Sequence, residues 1–161
     1  MRRDLRFQDN PVFHEVTNLK DFTHLLPVYV FPAQQIEVSG FIPKNIGKKS
    51  PYPEARSAIG GFWRCGKHRV KFLAESIWDL KQTLEDVGSG LEIRVGMIGE
   101  VVKTLLEGFT NGSEKFKVGA VWMTRDETVE ERIEERDVRS VCRDAGVEFR
   151  LFKDEKYFID E

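Results

Sequence analysis

"KHRVKFLAESIWDLKQTLEDVGSGLEIRVG", Lys67–Gly96, holds a helix, a stop and a strand in thirty residues. Val70, Leu73, Ile77, Leu80, Leu84 and Val87 recur at intervals of three and four. That spacing lays one apolar stripe along a helix over Lys67–Val87. Gly88 stands just past the stripe, where a helix commonly turns left-handed and stops. Leu91–Val95 then reads as a strand. A helix leading directly into a strand is the repeating unit of a layered α/β fold.

The same alternation continues in both directions. Upstream, Asn10 is a good N-cap and Pro11 suits the first helical position, so a short helix is expected over Pro11–Thr17. "LLPVYVF", Leu25–Phe31, is a continuous apolar run, as expected of a strand buried on both faces. Pro32 to Gly66 shows no period. Downstream, "GEVVKTLLEGF" reads as a helix and "VGAVWMT", Val118–Thr124, as a strand. Thr128 and Glu131 have the spacing of a capping box. The helix that follows carries Val129, Ile133, Val141 and Ala145 on its expected apolar face, and Gly146 stops it. "VEFRLF", Val147–Phe152, is the last strand. Four helices and four strands alternate, which argues for an open parallel sheet covered on both faces.

The chain has 161 residues, enough for one domain with a real core. Its formal charge of −2 does not mark a bulk polyanion binder, although a local patch remains open. No apolar run approaches a membrane span of roughly 18 residues, so no membrane partner is expected. Cys65 and Cys142 belong to no metal motif; two lone cysteines suit a reducing, intracellular compartment, whether cytoplasm, nucleus or mitochondrion. His14, His24 and His68 have no ligand partner at metal spacing, so no metal site is expected. No Ser-His-Asp or Cys-His arrangement is legible.

Several stretches carry a more specific resemblance. "RRDLRFQDNP" resembles the N-terminal signature of the photolyase/cryptochrome family. "LLPVYVF" is similar to that family's second strand. "HRVKFLAESIWDLKQTLEDVGSGLEIRVG" resembles its long helix and the strand after it. "VWMTRDETVEE" resembles its fourth strand and the acidic turn beyond. The spellings "FPAQQIEVSGF", "PYPEAR" and "GFWRCG" look most like the fungal cryptochrome-DASH branch. The resemblance spans nearly all of residues 1–161, as one domain.

The resemblance implies the family's N-terminal antenna domain, a Rossmann-like, HUP-type α/β sheet. Flavin and redox chemistry belong to a separate helical domain downstream, so FAD, DNA repair and enzymatic activity are not expected in this chain. In the family's strand order 3-2-1-4-5, Met1 falls where the central first strand ends. That strand is therefore missing or replaced. Unpaired buried backbone groups cost about 1–3 kcal/mol each, which a domain cannot absorb many times over. Its neighbours can close up and pair directly, a segment such as "EKYFID" can fill the gap, or the true start lies upstream. A compensated sheet with self-association, giving a homo-oligomer, is the expectation.

For the site, the resemblance implies a carboxylate just after the fourth strand that accepts hydrogen bonds from the pterin of a reduced folate, methenyltetrahydrofolate. The matching residue is Asp126, with Arg125 before it and Glu127 as a substitute. A carboxylate can accept two adjacent N–H donors at once. Equally, Asp126 and Glu127 are acids ahead of a helix, where its dipole favours them. Arg64, Lys67, His68, Arg69 and Lys71 form a basic cluster at a helix start, the end where local stability does not favour cations. They suit a phosphate or a folate tail, or else a solvated surface with local ion pairs. Phe62 and Trp63 beside them can stack on a base or anchor the loop to the core. Trp78 and Trp122 are expected in the core. "ETVEERIEERDVR" is expected as a solvated helix face, with Glu135 and Arg139 an ion pair.

Two functions follow from these readings. One is a non-catalytic antenna domain in a blue-light photoreceptor and DNA-repair flavoprotein family, partnered by a flavin-binding domain. The other is a stand-alone, self-associating interaction module without pigment. A nucleotide-using enzyme of the HUP class is disfavoured because "RRDLRFQDN" has no glycine to admit a phosphate. Nucleic-acid contact stays open, since family members make it mainly through the helical part.

Overall fold

The computed structural model describes residues 5–18, 22–36, 55–112, 116–126 and 128–153. Four helices and four strands alternate: α1 (Pro11–Asn18), β1 (Val28–Pro32), α2 (Lys67–Asp86), β2 (Glu92–Gly96), α3 (Ile98–Gly112), β3 (Ala120–Thr124), α4 (Val129–Asp144) and β4 (Glu148–Phe152). The order expected from the sequence is the order found. Arg2, Arg3, Asp4 and the "EKYFID" segment lie outside the described residues.

The chain forms two compact units, one of Leu26–Val101 and one of Met1–Leu25 with Val102–Glu161. In the first, β1 and β2 pair in parallel, Val28 opposite Glu92 through Pro32 opposite Gly96. Ala33 extends the ladder, its N–H donating to the Gly96 carbonyl at 3.1 Å. Tyr29, Val30 and Phe31 are buried. Leu25 and Leu26 are exposed, and the strand begins at Val28, three residues later than the apolar run suggests. Ile77, Leu80 and Leu84 of α2 are buried, as their spacing requires.

Trp78 departs from expectation: it is 62% exposed. One residue beyond Ile77 is about 100° round the helix, which carries the indole off the buried stripe. At the end of α2, the Ser89 N–H donates to the Leu84 carbonyl and the Gly88 N–H to the Glu85 carbonyl, both at 2.9 Å. Gly88 has φ 79°. These are the paired bonds of a Schellman stop.

In the second unit, β3 and β4 pair in parallel, Ala120 opposite Glu148 through Thr124 opposite Phe152. Phe22 meets one face of this ribbon, its ring 5.8 Å from that of Trp122. Phe149 points to the other face, where the Arg139 guanidinium of α4 lies over its ring at 5.1 Å. Asn10 caps α1 as expected, its Oδ1 accepting the Val12 N–H at 3.0 Å. α4 ends on a second Schellman stop, with the Val147 N–H on the Cys142 carbonyl at 2.8 Å.

Among the described residues the strands form two two-stranded sheets, β1–β2 and β3–β4.

α4 also departs from its sequence reading. Val129 and Ile133 are exposed, and the buried face is Glu131, Glu134, Glu135, Val138 and Cys142. The spacing of that face is helical, but three of its positions are carboxylates, which a hydropathy pattern assigns to solvent. The expected solvated face is thus partly an interior one. Glu135 and Arg139 form no ion pair with each other; Arg139 lies over the Phe149 ring and Glu135 accepts the Asp126 N–H.

Candidate functional site

The turn after β3 is set by two backbone bonds. The Arg125 N–H donates to the Phe152 carbonyl at 2.8 Å, which carries the β3–β4 ladder one step past the strand. The chain then leaves the sheet. The Asp126 N–H donates to Glu135 Oε1 at 3.1 Å. Arg125 and Asp126 are both half-buried. Glu127 lies outside the described residues. The turn sits at the carboxyl end of a parallel strand, where open α/β sheets bind their ligands.

Thr128 is the N-cap of α4, with extended backbone at φ −76° and ψ 156°. Its side chain makes no capping hydrogen bond. The capping box expected between Thr128 and Glu131 is therefore not formed. Glu131 is turned inward, 2% exposed, and Glu135 one turn further along reaches back to the loop instead. Burying carboxylates is costly unless each is hydrogen-bonded or paired. Glu131, Glu134 and Glu135 all have further interactions in the molecule. Glu135 Oε1 is the acceptor that backs the turn.

Trp122, two residues before the end of β3, is the aromatic member of this region. Its ring packs 5.1 Å from Phe152, and the Arg150 guanidinium lies 5.7 Å from its centre. Its Nε1 is buried and makes no hydrogen bond among the described residues. The sequence placed Trp122 in the core; the orphaned donor is visible only in the fold.

The basic cluster belongs to the other unit. Arg64, Lys67, His68, Arg69 and Lys71 are all exposed, around the start of α2. Lys71 pairs with Glu75 at 3.6 Å. Gly66 is the N-cap, and it offers no side-chain bond to the first turn. Phe62 and Trp63 do not anchor a loop to the core; both are exposed. Cys142 is buried, and burial pushes its thiol above the ordinary value of 9.0. No helix among the described residues is long and apolar enough to cross a membrane.

A family model described as DNA photolyase matches residues 1–159. The chain is 51% identical over its whole length to a cryptochrome DASH of Neurospora crassa named as mitochondrial, of which it covers 22%. It is 48% identical over its whole length to a cryptochrome DASH of Gibberella zeae, of which it covers 23%. It thus spans less than a quarter of either relative. The crystal structure of an archaeal photolyase from Sulfolobus tokodaii, with two FAD molecules, matches 96% of this chain and 29% of that one. The TM-score is 0.61 at 22% identity, a likeness of fold. Matched almost end to end by the family model, with parallel strand pairs that keep the neighbours expected of it, the chain belongs to the photolyase/cryptochrome family as its N-terminal α/β domain.

Proposed function

We propose that this chain is the light-harvesting part of a flavoprotein, non-catalytic by itself, that holds a reduced folate such as methenyltetrahydrofolate beside the turn after β3. The observation that carries the reading is Asp126: a half-buried carboxylate at the carboxyl end of a parallel strand, its own N–H held by Glu135. The donor set suits the group. A pterin edge presents adjacent N–H donors, and a carboxylate accepts two of them together. The solved archaeal photolyase, described with a novel light-harvesting cofactor, supports an antenna role at the level of fold.

When bound, the folate would absorb near-ultraviolet light and pass excitation to a flavin held by a helical domain. The chain's own work is recognition and positioning. Asp126 fixes the pterin edge, Glu135 fixes Asp126, and the Arg125 N–H ties the turn to β4. A folate titration followed by near-ultraviolet absorption tests this. Saturable uptake that weakens in Asp126→Asn is the expected result; uptake unaltered in that variant places the carboxylate elsewhere, and no uptake at all removes the antenna role. The domain would work inside the cell, like the Neurospora relative named as mitochondrial.

A second reading, a self-associating module without pigment, draws on Phe72 and Trp78, large apolar side chains exposed on α2. A sedimentation mass that rises with concentration, in a colourless protein, selects it over the first.

A further inference from the structure

Residues 55–71, "ARSAIGGFWRCGKHRVK", carry five Lys and Arg and no Asp or Glu, in a chain whose net charge is −2. They lie wholly within one compact unit. Their first ten residues form a short antiparallel ribbon, although the sequence shows no period there. The Ser57 N–H donates to the Phe62 carbonyl at 2.8 Å, and the Arg64 N–H to the Ala55 carbonyl at 2.9 Å. Ser57 Oγ accepts the N–H groups of Ile59 and Gly60, both at 3.3 Å. Gly61, at φ 64°, closes the turn without a side-chain clash.

The tip of this ribbon is apolar. Ile59 is 100% exposed and Phe62 66% exposed. Arg56 lies 3.8 Å over the Trp63 ring and donates to the Gly61 carbonyl at 3.0 Å, so one face of that indole is taken. The Phe62 ring lies against Gly60, so close that a Cβ there would meet it at 2.6 Å. Neither ring therefore offers two open faces for a base to stack between. Below the tip, Lys67, His68 and Arg69 are exposed and make no ion pair among the described residues.

We propose that residues 55–71 form a peripheral docking site for an anionic phospholipid surface, with Ile59 and Phe62 entering the interface and Lys67, Arg69 and Lys71 meeting the phosphates. An aliphatic knob at a turn tip gains nothing from a nucleic-acid base but gains from leaving water at the acyl boundary. Long cationic side chains can reach headgroups while their stems lie along apolar surface. Such contact is peripheral and requires no membrane span, the criterion on which no membrane partner was expected.

The test is co-sedimentation of the 161-residue chain with vesicles of phosphatidylcholine alone or with about a third phosphatidylglycerol. Binding is expected to the anionic vesicles only, and to fall as salt rises. Removing each cation, as in Lys67→Ala or Arg69→Ala, should weaken partitioning roughly fivefold. Ile59→Glu should weaken it about tenfold or more with an unchanged circular-dichroism spectrum, because that side chain touches no core. No pelleting with anionic vesicles overturns the proposal. So does pelleting indifferent to Ile59→Glu, which marks mere ion exchange, and so does displacement by inorganic phosphate at constant ionic strength. Binding of a single-stranded oligonucleotide that is lost in Phe62→Ala, without vesicle binding, assigns the patch to nucleic acid and also overturns it.

Discussion

Glu135, buried in the second turn of α4, accepts the backbone N–H of Asp126 through Oε1 at 3.1 Å. The acid that steadies the loop is thus neither in the loop nor at the helix start. Glu135→Ala leaves that N–H without its acceptor, a loss of about 1–3 kcal/mol. Glu135→Gln keeps an oxygen acceptor and should lose less. Urea denaturation of both variants checks the ranking; equal midpoints would show that the bond does not hold the turn.

The helix stripe and its neighbour give a paired prediction. Ile77 is fully buried and Trp78 largely exposed. Ile77→Ala should cost about 2–5 kcal/mol, while Trp78→Ala should stay near ±0.5 kcal/mol despite removing a larger side chain. Thermal unfolding distinguishes them. A larger loss in Trp78→Ala would mean that the indole is covered in solution, as self-association requires.

Asn10 Oδ1 accepts the Val12 N–H at 3.0 Å, and the Phe13 N–H lies 3.4 Å away. Asn10→Ala removes both acceptor contacts from a buried cap and should cost about 1 kcal/mol. Asn10→Asp keeps the acceptor and adds charge at the favourable end of the helix dipole. The far-ultraviolet signal at equal urea concentration should rank wild type and Asn10→Asp above Asn10→Ala.

Cys142 predicts a pH dependence. Burial disfavours its thiolate, so its folded-state value lies above the ordinary 9.0. Above that ordinary value the unfolded chain releases the proton first. The contribution to stability is therefore fully present at neutral pH and is lost as pH rises through the alkaline range. Cys142→Ala should flatten that alkaline decline. In native protein, a thiol reagent should modify half-buried Cys65 promptly and Cys142 only on opening.

The order of helices and strands, the Asn10 cap, the stripe through Ile77, Leu80 and Leu84, and the stops at Gly88 and Gly146 were all legible in the amino-acid sequence. Each is a local property, governed by backbone sterics and by a period of about 3.6 residues, and needs no knowledge of distant segments. The family, too, was written in contiguous motifs. Tertiary structure alone decided which face of α4 is interior. Glu131, Glu134 and Glu135 go inside although hydropathy assigns carboxylates to solvent, and Glu135 there accepts the Asp126 N–H of the preceding loop. It also decided that Glu135 holds Asp126, that Trp78 faces outward, and that a stretch without a period becomes a ribbon with Ile59 at its tip. Local pattern sets which elements form; the side that each one buries depends on what lies against it.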